Sequence, residues 1–220
     1  MAASPPPPRR TQAERRAASR AALLDAAVTS LVEDGYAGIT TRRIAERAGV
    51  SQGTQQHYFA TKAELVVEAL RHATDALAAD AARRIDPLDL HRPDRHEALL
   101  DELWRLHRSV AFRAALELLA AARTDAELRP HVAAFELEAT RVMRATAKDL
   151  LPDDPRQTET IELMDLAMAA TRGFAMLAPV VPAAALDRRW RLARGHIATL
   201  LRAHAEAGPG PHPGPGPGPA

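Results

Sequence analysis

Residues 40–62, TTRRIAERAGVSQGTQQHYFATK, decide how the rest of the chain is organised. The stretch fits two short helices and a glycine turn into one compact segment. Thr40 or Thr41 supplies the first N-cap, a hydroxyl that accepts a bond from a backbone N–H the helix leaves unpaired. Ile44, Ala45 and Ala48 then form one apolar stripe. Gly49 follows directly, and glycine reaches the left-handed conformation that ends a helix without steric penalty. Val50 is expected to turn inward as a plug, and Ser51 to cap a second helix over residues 52–59.

That second helix is nearly all hydrogen-bonding side chains: Thr54, Gln55, Gln56, His57 and Tyr58. A glutamine can make two bonds to an adenine edge, and a threonine can bond a base or touch a thymine methyl. Helix, tight glycine turn and polar helix together give the helix-turn-helix pattern, whose second helix lies in the major groove. The plainer alternative is a helical hairpin with a solvated second helix.

Residues 43–65, RIAERAGVSQGTQQHYFATKAEL, resemble the DNA-binding signature of the TetR family of transcriptional regulators. The Thr-Thr start, Ile-Ala pair, Ala-Gly-Val-Ser turn, Gly-Thr helix start, Tyr-Phe end and Thr-Lys cap stand at matching spacing, and the likeness covers residues 16–77. It implies that Arg42, Gln52, Thr54, Gln56 and His57 reach base edges, with Ser51 at the helix start beside them. It implies that Thr41, Tyr58 and Lys62 hold phosphates and set register. Two positions depart from the family pattern. Gln55 replaces a branched apolar residue and Gln56 a frequent tyrosine. Gln55 shares the face of Phe59, so either it finds a buried partner or the helix rolls to expose it.

The remaining composition fits an all-α protein. Alanine, leucine and arginine favour helix, and no stretch alternates well enough for a strand. The chain of 220 residues can bury a sizeable core in one or two domains. It has no cysteine, hence no disulfide framework. MAASPPPPRR is proline-rich and does not read as a signal peptide. No run approaches the apolar length of a membrane span, which makes the cytoplasm the expected location. Residues 1–62 hold nine Arg and Lys against five Asp and Glu, while the remainder is slightly acidic. A basic head on an acidic body suits contact with phosphate through one end.

The expected layout is a disordered arm at 1–10, a three-helix DNA-binding domain at 11–62, a helical ligand-binding and dimerisation domain at 63–207, and a disordered Gly/Pro tail at 208–220. Arg9, Arg10, Arg15 and Arg16 follow the proline run: one reading is a basic arm that reaches the DNA backbone or minor groove, and the preferred one is a solubilising tail whose last arginines begin helix 1. Helix 1 spans 12–34 with Leu24, Ala27, Val28 and Leu31 as its stripe, and Gly35 ends it. Thr61 and Glu64 form a capping box for a long helix through Leu77, which the resemblance makes the lever between ligand and DNA.

Residues 85–95 break the pattern. His91, Asp94 and His96 lie close together there, but two histidines in a polar loop fall short of a metal site, so neither metal nor cofactor is expected. Helices then follow at 94–108, 109–123, 130–150, 157–178 and 184–206, punctuated by prolines. Leu103, Phe112, Leu116, Leu119, Val142, Met164 and Leu177 are expected on inner faces. The resemblance implies a ligand pocket between these helices. Trp104, His107, Phe135, Met143, Met168, Arg172 and Phe174 are its candidate lining, each of which could equally be core. It also implies a homodimer through helices 157–178 and 184–206. Small residues Ala167, Ala170, Gly173 and Ala175 would permit close approach there.

No phosphate-cradling glycine loop, zinc-protease histidine pair or serine elbow is present, so the chemistry read is recognition rather than catalysis. The function expected is a ligand-responsive regulator of transcription, a repressor, holding a palindromic operator as a homodimer with a small-molecule effector. The competing reading is a helical interaction protein whose head has lost DNA binding.

Overall fold

The computed structural model describes residues 11–85, 94–150 and 157–206. All regular structure among them is helical, as the composition requires: α1 (Gln12–Gly38), α2 (Thr41–Ala48), α3 (Gln52–Tyr58), α4 (Lys62–Ile85), α5 (Arg95–His107), α6 (Val110–Ala122), α7 (Leu128–Leu150), α8 (Gln157–Met176) and α9 (Ala183–Glu206). None of these helices is long and apolar enough to cross a membrane. The arm at 1–10, the tail at 208–220 and His91 lie outside the described residues.

The chain divides into two compact units. The first holds the residues up to Leu77 together with Arg113–Phe135. It therefore runs past residue 62 and takes in most of α6 and the start of α7. Its core is the stripe read from α1 (Leu24, Ala27, Val28 and Leu31) packed with Ile39, Ile44, Phe59, Leu65 and Leu70, all buried. Gly35 interrupts α1 with φ 69° and ψ 164°, and helical geometry resumes through Gly38. This corner is held from α6. The Glu117 carboxylate accepts the Tyr36 N–H at 2.9 Å, and a Cβ on Gly35 would meet that same oxygen at 3.0 Å. Glycine is required here on both counts.

The second unit comprises Ala78–Phe112 and the residues from Glu136 onward. Here α5, α8 and α9 pack together around Leu100, Leu103, Trp104, Ala167, Leu186, Trp190 and Ile197. The Trp104 and Trp190 rings stack with centroids 5.4 Å apart, and Phe174 meets Trp104 edge-on at 6.4 Å. Each indole N–H finds a carboxylate: Trp104 donates to Asp187 at 3.1 Å and Trp190 to Asp101 at 3.4 Å, as buried indoles generally must.

Three expectations are corrected. Val142, placed on an inner face by spacing, is 57 % exposed, because α7 turns that side outward. Val50 is half-buried at the turn rather than fully enclosed. Ala167 and Ala175 are buried in the unit's own core rather than offered for close approach by a second chain.

Candidate nucleic-acid interface

The turn between α2 and α3 is built as its residues dictate. Thr40, not Thr41, caps α2, its hydroxyl accepting the Arg43 N–H at 3.2 Å. Gly49 ends the helix in the left-handed region, φ 66°, and its N–H closes on the carbonyls of Ala45 and Glu46. Ser51 caps α3 by accepting the Thr54 N–H at 3.1 Å. The α3 that follows has one inward face, Gln55, with Phe59 immediately beyond it. Gln52, Gln56 and His57 are exposed, while Thr54 and Tyr58 are half-buried. Arg42 is exposed beside them, and its guanidinium lies 2.9 Å from Glu46 with both side chains well over half exposed. An ion pair that open contributes little and is readily exchanged for another anion.

Residues 23–69 match the profile of bacterial regulatory proteins of the tetR family, a span from the middle of α1 into α4 that contains the whole turn just described. Residues 23–69 are a TetR-family helix-turn-helix segment. The transcriptional regulator BetI of Burkholderia ambifaria (strain MC40-6) is 40 % identical over 67 residues, 30 % of this chain and 34 % of its own length. CymR of Pseudomonas putida is 34 % identical over 107 residues, 49 % of this chain and 52 % of its own. The chain thus spans between about a third and a half of these curated relatives. A transcriptional regulator from Rhodococcus sp. Rha1 superposes with a TM-score of 0.63 at 25 % identity, covering 82 % of this chain and 96 % of that one. The regulator FadR of Bacillus subtilis, solved in complex with stearoyl-CoA, shares the fold alone: TM-score 0.57 at 15 % identity, with 82 % and 96 % covered.

Of the two alternatives open for Gln55 in this TetR-family head, the structure takes the buried partner. Gln55, 1 % exposed, keeps the buried position of the apolar residue it replaces. Its amide Nε2 donates to the Phe59 carbonyl at 3.0 Å, so the helix does not roll. Its Oε1 is buried with no partner among the described residues. Gln55→Glu should therefore destabilise the head by about 2–3 kcal/mol at neutral pH, because it buries an unpaired carboxylate against a carbonyl oxygen. A buried carboxyl has a raised pKa, so that loss should be recovered as acid protonates it and restores a donor toward Phe59. Denaturant titrations at pH 7 and 4.5 read this out. Equal stability of the variant and wild type at pH 7 would mean that the pocket is wet.

Lys62, expected at a phosphate, is turned inward instead. Its ammonium donates to the Tyr36 carbonyl at 2.9 Å, lies 3.5 Å from the Ile39 carbonyl and sits 3.9 Å over the Tyr36 ring. Burial holds its pKa below the usual lysine range, while Asp125 and Glu127 pull the other way. The Tyr36 hydroxyl is pushed up to about 12, first by burial and then by the same two acids. Lys62 thus ties the α1–α2 corner to the start of α4. The capping box beside it is formed one residue out of register: Thr61 accepts the Glu64 N–H at 3.0 Å, and the Glu64 carboxylate accepts from Ala60 at 2.8 Å.

The candidate ligand residues fall in both units. Trp104 is in the core of the second unit, with Met143, Met168 and Phe174 packed against that core, whereas Phe135 belongs to the first unit. Arg172 pairs with Glu136 at 3.0 Å. His107 is buried, with Nδ1 2.7 Å from the Leu103 carbonyl. A cleft between α7 and α8, bordered by Met143, Met164 and Met168, holds about 10 Å³, the room of a single water.

Proposed function

We propose that this chain is a ligand-responsive transcriptional regulator, a repressor, that holds an inverted-repeat operator as a homodimer. The observation that carries the reading is α3 itself. It buries Gln55 and leaves Gln52, Gln56 and His57 exposed on a short helix fixed by two caps and a left-handed glycine. A helix so held is a rigid probe for the major groove. Arg42, Gln52, Thr54, Gln56 and His57 contact base edges, while Thr41 and Ser51 hold the backbone and Tyr58, its hydroxyl donated to Arg16, steadies α1 beside them. Residues 11–62 carry the reading and 63–207 the effector and the dimer contact, with the α6–α7 corner packed on the reading unit.

The dimer contact is the face that α8 and α9 leave uncovered: Leu166, Gly173 and Met176 with Leu192 and Leu200, all exposed. The effector is a small molecule taken up in the second unit beside Trp104, His107 and Phe174. A solved relative of the same fold carries stearoyl-CoA and another, EbrR, carries imidazole. An effector releases DNA only by binding the free and DNA-bound forms with different affinity.

Selection from a random-sequence duplex library should return an inverted repeat. On that duplex, Gln56→Ala with His57→Ala should lose about 2–4 kcal/mol, since each good base contact contributes about 1–3 kcal/mol, while binding to scrambled duplex is spared. Equal loss on both duplexes would remove these two residues from base reading, and a library that enriches nothing would favour the interaction-protein alternative.

A further inference from the structure

The start of α1 borders an open groove of about 510 Å³ inside the first unit. Arg15, Arg16 and Ser19 form one wall, and Ser51, Thr54 and His57 face them from α3. The spacing of the walls is fixed. The Tyr58 hydroxyl donates across to the Arg16 carbonyl at 3.1 Å. One turn further along α1, Arg20 pairs with Glu68 at 3.2 Å and lies over the Phe59 ring, so that arginine is consumed by the fold. Arg15 and Arg16 are exposed and pair with no acid among the described residues.

The facing wall is a donor surface as well. The Ser51 and Thr54 hydroxyls lie 2.9 Å apart, so one proton is shared between them and the other stays available. Among the described residues, no carboxylate borders the groove. Two unpaired guanidiniums, a spare hydroxyl proton and an open channel without acids select an extended polyanion, and arginine forks match phosphate oxygens in geometry. We infer that this groove seats the phosphodiester strand flanking the bases read by α3, with Arg15 and Arg16 as its cations and Tyr58 as the positioning strut. The inference rests on the DNA-binding reading above, and it adds α1 to a contact surface otherwise confined to α2 and α3.

The test is a salt titration of the full chain on two probes, the selected duplex and a mixed-sequence duplex of about 30 base pairs, over about 50 to 200 mM salt. For Arg15→Gln with Arg16→Gln, the slope of log K against log salt should shrink by about 1.8 on both probes, the release expected for two phosphates. Arg15→Lys with Arg16→Lys should keep most of the wild-type slope. Arg141→Gln with Lys148→Gln, which removes the same charge from exposed positions of α7, should leave it unchanged. A wild-type slope in the glutamine variant, with its helical circular dichroism intact, overturns the groove while DNA binding stands. An equal drop in the α7 control reduces the effect to net charge and overturns it too. A wild type that binds neither probe at low salt removes the DNA-binding reading and the groove with it.

Discussion

Acidification from pH 6.5 toward pH 4 is expected to remove on the order of 3 kcal/mol of stability from the second unit through His107 alone. The pKa of this imidazole is lowered from 6.5 to about 4: burial is the main cause, the Leu103 carbonyl opposes it, and the positive charge of Arg172 adds to the lowering. Nδ1 sits 2.7 Å from that carbonyl, which makes it the protonated nitrogen. Nε2 is buried with no partner among the described residues, so a second proton would place an uncompensated charge in the core. The folded pKa is depressed, so the unfolded chain takes up the proton first. The contribution is complete above pH 6.5 and is lost as pH falls through about 4. Its size follows from about 1.4 kcal/mol per unit of pKa difference. Both tryptophans of the chain, Trp104 and Trp190, lie in this unit, so indole fluorescence in urea reports its unfolding. His107→Leu should flatten the midpoint across the window. A variant that keeps the wild-type acid slope would assign that slope to other groups, such as the carboxylates on the arginines of α5 and α9.

Which parts of this architecture could be read in advance follows from the range of the forces involved. Caps, turns and helix limits are local. Ser51, Gly49 and the α1 stripe are legible because each acts within one or two turns of its own position. The inward face of α3 is legible for the same reason, since Gln55 and Phe59 are four residues apart. What the spacing could not supply is the partner across the fold. Lys62 carries a charge at a helix start, a position that suits phosphate, yet Tyr36, twenty-six residues earlier, offers it a carbonyl and a ring. The grip of Glu117 on the Gly35 corner spans a still longer separation, and no local signal announces it. Arg15 and Arg16 read as the end of a tail because the groove they border is completed by α3. Val142 reads as core because a helix of mixed composition offers more than one apolar stripe, and only the neighbours decide which is buried.

The largest functional effect is expected at Gly173. It lies on the exposed face of α8, between Leu166 and Met176 and one helical turn or two from each, and a Cβ built on it meets nothing within 4 Å. A large side chain there costs the isolated chain nothing in packing, and replacing a mid-helix glycine favours the helix by up to about 1 kcal/mol. The same side chain would stand in the path of a second copy seated on Leu166, Met176, Leu192 and Leu200. A stable contact of roughly 800 Å² per partner cannot form over such a post. Gly173→Trp should therefore sediment as a monomer while the rest of the chain keeps its helical circular dichroism and its cooperative unfolding. Two reading heads joined in one dimer bind their half-sites as a single event. Separation should lower affinity for the inverted repeat by roughly 10²–10⁴ and leave affinity for a single half-site nearly unchanged. A folded variant that still sediments as a dimer would move the contact away from this face, whereas a monomer that keeps full affinity for the repeat would show that the two half-sites are not coupled through it.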